Sequence, residues 1–186
     1  SGSLPANLGS DTTCPGCLPL AAGAAGQTAN PTKARARLID WQSTPDGSVE
    51  FDVDPITQVL ENVLLDHKTD SSVCVVIADD AYVRSLNREY RQSDRPTDVL
   101  SFEFGDDFES GLNLLGEIYI SVETAARQAL EADRPLAEEV AHLAIHGVLH
   151  LLGHEHDTDR GYKKMRSAED RYLDMCRSQT LNPREA

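Results

Sequence analysis

The sequence predicts an α+β fold: a small mixed sheet packed by helices, with a metal site on a central helix and in the turn after it. Three observations carry this expectation. Short runs rich in β-branched residues alternate with longer stretches of helical period, yet without strict strand–helix–strand order. The longest apolar helix, over 135–153, stops at a glycine. Four of the chain's six histidines fall near the end of that helix and just beyond it, in "AIHGVLHLLGHEHD", residues 144–157.

Each element has its own signal. "ARLIDW" (36–41) reads as a short strand or an entry into the fold. "DPITQVLENVLLDHK" (54–68) has apolar residues at 56, 59, 60, 63 and 64, which is helical spacing, with Asp54 as N-cap and Pro55 in the first turn. "SVCVVIA" (72–78) is a continuous buried strand, and Cys74 within it reads as a small core residue. "DDAYVRSLNREYR" (79–91) returns to helical period with an acidic start. The turn chemistry of "QSDRPTD" (92–98) leads to a strand over 99–104, an acidic, glycine-bounded loop over 105–113 and a further strand, "LLGEIYIS" (114–121). Residues 121–132 open with Ser-x-x-Thr and continue as an amphipathic helix. A final helix spans 157–176, with apolar or aromatic residues at 162, 165, 172, 173 and 176.

The 186 residues suit one domain, over 35–178, flanked by a disordered extension or leader (1–34) and a short tail (179–186). Residues 1–32 carry one acid and no base. The stretch lacks the basic region of a secretory signal and is poor in arginine for a transit peptide. "CPGC", Cys14 to Cys17, could be redox-active or half of a zinc site, but no second CxxC follows. The formal net charge of −14 disfavours passive attraction to nucleic acid or an anionic membrane, without excluding a local basic site. No apolar run approaches the ~20 residues of a membrane span. The expected location is the cytoplasm, or an organelle if the leader is a transit peptide.

The histidines carry the chemistry. Four helical residues rotate about 400°, so His146 and His150 project from one face a turn apart and can converge on one ion. Gly153 can take the left-handed conformation that ends a helix, and the chain then turns back. His156 completes an H-x3-H-x2-G-x2-H spacing, the metal part of the metzincin pattern, so the architecture is expected to be zincin-like. Three imidazoles with an open position describe a catalytic zinc site. His154 competes for the third place, but Gly153 favours His156. His142, one turn before His146, could donate to a ligand from behind, but reads more plainly as a buried, hydrogen-bonded residue. His67 reads as isolated and exposed. Zinc peptidases carry their glutamate base directly after the first histidine. Here Gly147 stands there, which argues against an ordinary peptidase.

At this point the residues resemble a known family. "HGVLHLLGHEHD" is similar to the H-G-x-L-H-L-x-G-x-D-H signature of the YbeY family, zinc-dependent single-strand endoribonucleases of rRNA maturation. "LNREYRQSDRPTDVLSF" (86–102), "LLGEIYIS" (114–121) and "MRSAED" (165–170, with Met165 and Glu169 in place) resemble three further blocks. The resemblance covers about residues 36–178. Departures are Glu155 and Glu117 where Asp is usual, and Glu103 where Pro is common.

The resemblance implies one Zn2+ ion on His146, His150 and His156, with Arg91 as the functionally important arginine. It implies single-stranded RNA as substrate, at the 3′ end of a 16S-type rRNA and in ribosome quality control. The implied partners are the ribosome or small-subunit components, with neither DNA nor a membrane among them. A guanidinium suits the scissile phosphate because it offers two parallel donors; an ion pair with Glu89 or Asp94 is the plainer reading of Arg91. Zinc would polarise a phosphoryl oxygen or acidify water, and the attack on phosphorus would come from that water or from the ribose 2′-OH. Arg84, Arg88 and Arg95 could add a basic rim. Two alternatives stay open: a zinc hydrolase acting on another substrate such as a peptide, and a ribosome assembly factor whose zinc is mainly structural.

Overall fold

A computed structural model of the chain describes residues 38–45, 47, 51–104, 113–155 and 157–181. The expected leader with its CPGC pair, residues 105–112 of the acidic loop, His156 and residues 182–186 lie outside the described residues.

Among the described residues, four strands and five helices follow one another as β1 (Ile39–Ser43), α1 (Asp54–Asp66), β2 (Ser72–Ala78), α2 (Asp80–Arg91), β3 (Val99–Glu103), β4 (Leu114–Ser121), α3 (Val122–Glu131), α4 (Leu136–Leu151) and α5 (Asp159–Leu181). The sheet order is β1-β2-β4-β3. β1, β2 and β4 run parallel, and β3 pairs antiparallel with β4 at the edge. The fold is therefore α+β with a mixed sheet, as the irregular alternation of elements predicts.

Alternation along the strands gives the sheet two apolar faces. Val73, Val75, Ile77, Ile118 and Ile120 join the larger core with residues of α1, α4 and α5. Cys74, Val76, Ala78, Leu100 and Tyr119 face the smaller one, closed by Val83 and Leu86 of α2. α4 lies on the larger core. From Glu139 to Leu151 every residue of α4 is buried except His142, His146 and His150, which are half-buried. Three histidines at four-residue intervals thus form the one open stripe of a buried helix.

Gly147 explains how closely α4 sits on the sheet. A Cβ there would stand 2.8 Å from Cγ2 and 2.9 Å from Cδ1 of Ile118, and 3.1 Å from Oγ of Ser101. The helix ends as the glycine predicts. Gly153 has φ +78; its N–H donates to the His150 carbonyl (2.9 Å) and the His154 N–H to the Leu149 carbonyl (3.0 Å). This pair of bonds is the Schellman motif.

Local differences from the sequence reading have physical causes. Asp54 is the first residue of α1 rather than its cap; Val53 takes the cap position and the Asp54 N–H is held by Asp52 Oδ1 at 2.9 Å. α5 runs to Leu181, three residues past the expected domain boundary. Tyr162, counted in the apolar pattern of α5, is 58% exposed. The first turn of α5 meets the preceding turn through Gly161, against the Glu155 carbonyl, and leaves Tyr162 outside.

Candidate metal centre

The stripe on α4 brings two of the three histidines chosen from the sequence together. The Nε2 atoms of His146 and His150 are 3.1 Å apart, and the rings meet edge to face at 4.6 Å between centroids. One helical turn supplies this approach without any loop, because residues four apart overlie each other. His156 lies outside the described residues. Among those residues no three His, Cys, Asp or Glu side chains gather as a metal set.

His146 is oriented from behind. Its Nδ1 lies 2.7 Å from Oε1 of Glu169 on α5. A carboxylate only accepts, so Nδ1 carries the proton and Nε2 of the neutral ring is left with its lone pair, facing His150. Glu169 is 6% exposed. The hydrogen bond from His146 holds its carboxyl below the ordinary value despite the opposing effect of burial, and the charge of Arg166 acts the same way. The group therefore stays ionised.

His142 lies between two carboxylates, with Nδ1 3.7 Å from Glu139 Oε1 and Nε2 3.9 Å from Glu169 Oε2. Both distances are too long for hydrogen bonds, so His142 is not the hydrogen-bonded residue the sequence suggests. Glu139, 2% exposed, pairs with Arg134.

Sequence reasoning missed Glu169 as a working residue and noted it only within the "MRSAED" block. A signal was present. Met165, Tyr172 and Cys176 mark the buried face of α5, and Glu169 falls four residues after Met165 on that face. An acid at a core position needs a buried partner.

His154 is engaged elsewhere. Its Nε2 is 3.0 Å from Nε2 of His67, so His67 is exposed but not isolated. Burial, with smaller effects from His67 and Lys164, lowers the His154 pKa.

Arg91, at the last turn of α2, is exposed, and its Nη2 donates to the Ser101 carbonyl at 3.3 Å. Ser101 Oγ in turn donates to the Gly147 carbonyl at 3.5 Å. The edge strand β3 thus separates the arginine from the residue that follows His146. Asp94, offered as a partner for Arg91, is taken by Arg84 through two bonds of 2.7 and 3.1 Å. Arg84 is therefore neutralised and drops out of the basic rim, while Arg88 and Arg95 remain exposed. A second basic group, not foreseen, lies on α5, where Arg160, Lys163 and Lys164 line a shallow depression with Asp159 and Ser167.

The donor set suits a borderline cation. Two imidazole nitrogens about 3 Å apart match ligands held at ~2.0–2.1 Å from one zinc, and Glu169 supplies the outer support that ligating histidines have. Gly147, packed on Ile118, leaves no room for a peptidase glutamate at that position.

The family described as Endoribonuclease YbeY matches residues 44–177. A protein of Carboxydothermus hydrogenoformans named endoribonuclease YbeY is 45% identical over 118 residues, covering 63% of this chain and 81% of the relative. Another of the same name from Syntrophotalea carbinolica is 37% identical over 134 residues, covering 69% and 89%. A solution structure of a Thermotoga maritima protein superposes with a TM-score of 0.56 at 26% identity, covering 78% of this chain and 93% of that one. Among the described residues no helix is long and apolar enough to cross a membrane.

Proposed function

The chain belongs to the endoribonuclease YbeY family, and on that premise we propose that it is a zinc-dependent endoribonuclease that cuts single-stranded RNA in rRNA maturation and ribosome quality control. The observation that carries the reading is the histidine stripe of α4. An apolar helix buried from Glu139 to Leu151 keeps only histidines at its open positions, and one of them is held by an ionised carboxylate.

In this reading His146, His150 and His156 hold the ion. Bound zinc supplies Lewis acidity, polarising a phosphoryl oxygen and acidifying water. The chain's own residues do the rest. Glu169 fixes the proton of His146 on Nδ1 and keeps Nε2 available. Arg91 presents a planar fork of donors beside β3, which suits two oxygens of a phosphodiester and the negative charge that grows on them. Its single 3.3 Å bond to a carbonyl is readily exchanged for a phosphate. Gly147 lets α4 press against the sheet, so the stripe stands at a fixed height above β3 and β4. Arg160, Lys163 and Lys164 offer the RNA backbone a positive approach on a chain whose formal charge is −14.

The test is cleavage of a single-stranded RNA oligonucleotide by purified protein, with and without zinc. Cutting is expected with zinc and not after chelation, and His146→Ala should abolish it. Undiminished cutting by chelator-stripped protein would remove the metal from the mechanism.

A further inference from the structure

Two histidines outside the proposed centre also meet. His67 caps the C-terminal end of α1, and His154 follows the glycine that ends α4. Their Nε2 atoms are 3.0 Å apart, with the rings edge to face at 5.1 Å between centroids. Nδ1 of His67 lies 2.8 Å from the Val63 carbonyl. A carbonyl only accepts, so the proton sits on Nδ1, and Nε2 of the neutral ring points a lone pair at His154. Ligating histidines are built this way, with the remote nitrogen donating to an oxygen and the near one facing the ion. His146 is held in the same manner by Glu169.

The backbone that carries the second imidazole is held in place. The backbone N–H of His154 closes the Schellman motif at Gly153 through Leu149. The separation of the two Nε2 atoms is near that of adjacent ligands on one first-row ion. His67 is exposed and His154 half-buried, so water can reach the remaining positions.

The geometry points to a second metal site, in which Nε2 of His67 and Nε2 of His154 bind one imidazole-preferring divalent ion (Cu2+, Ni2+ or Zn2+) with water completing its coordination. It shares no ligand with the proposed catalytic centre and does not rest on that reading. An ion held there ties the end of α1 to the turn after α4, which lies 87 residues further along the chain. Two protein ligands hold an ion less tightly than the three of a closed imidazole set.

The experiment is calorimetric titration of metal-free full-length protein with Ni2+, comparing wild type with His67→Asn, His154→Ala and His146→Ala. One equivalent beyond any held by the three-histidine centre is expected in wild type; it persists in His146→Ala and is missing from both His67→Asn and His154→Ala. Asparagine keeps an amide able to donate to the Val63 carbonyl, so that substitution removes the ligand and leaves the helix cap. Cu2+ should bind more tightly than Ni2+, and in His146→Ala it should show spin-resonance splitting from two imidazole nitrogens that is lost when His67→Asn is added. A His67→Asn protein that takes up as many Ni2+ equivalents as wild type would overturn the site. So would a His154→Ala protein that loses an equivalent which His67→Asn retains, since His154 would then belong with His146 and His150.

Discussion

Glu169 of α5 and His146 of α4, 23 residues apart in the chain, share a 2.7 Å hydrogen bond between Oε1 and Nδ1. The bond joins the final helix to the middle of the histidine stripe and sets which nitrogen of His146 faces outward. Its loss should register first in metal affinity. Glu169→Ala is expected to weaken zinc binding roughly 10–100-fold, and Glu169→Gln, which keeps an accepting oxygen, by less. Competition with a chromophoric chelator measures both. Unchanged affinity in Glu169→Ala would detach the carboxylate from the centre.

Gly147 offers a stability test with an unusual sign. Replacing a glycine inside a helix by alanine normally stabilises by about 1 kcal/mol. Here the added methyl meets Ile118 at 2.8 and 2.9 Å, and the backbone of α4 must shift. Gly147→Ala should lose roughly 1–3 kcal/mol in urea unfolding, and Gly147→Glu more. An alanine variant at least as stable as wild type would show that α4 can move off the sheet.

Arg91 should separate catalysis from folding. It is exposed and makes one long bond, so Arg91→Ala should leave the unfolding midpoint nearly unchanged. RNA cleavage should fall on the order of 10²–10³-fold, the range for removing one donor to developing charge. Arg91→Lys is expected to recover only part of the rate, because an ammonium cannot offer two parallel donors. Cleavage at the wild-type rate in Arg91→Ala would refute the assigned role.

Asp80 links the starts of two helices and gives a pH signature. Its carboxylate accepts from Ser121, from Thr124 Oγ1 at 2.7 Å and from Arg127 Nη1 at 3.0 Å. Burial alone would raise its pKa, but these bonds, with the charge of Arg127, hold it below the usual 3.8. A depressed folded pKa means that the stabilisation is complete above the unfolded value and fades as pH falls through the folded one. Asp80→Asn should therefore lose about 1–3 kcal/mol near neutral pH, with the gap to wild type closing below pH 3.8. A gap independent of pH would mean that the charge contributes nothing.

Elements with a strong local signal were legible in the sequence. The β-branched runs became β2 and β4, Asp79 and Ser121 cap α2 and α3 with their side chains, and Gly153 ends α4 with positive φ. His146 and His150 were legible because four-residue spacing is a local property. Glu169, His67 and the Arg84–Asp94 pair were not, since each depends on how distant elements pack. No periodicity in α5 says which helix its one buried acid will face, and nothing near His67 announces a partner 87 residues away.

The docking of α5 on α4 also orders events in time. A chain is made from its N-terminus, so α4 with its histidines emerges before Glu169 exists, and domains close up as their last parts arrive. Until α5 has been made and has packed through Met165, Tyr172 and Cys176, nothing fixes the proton of His146 on Nδ1. A centre that relies on Glu169 behind His146 is therefore complete only once α5 has been made and has docked on α4.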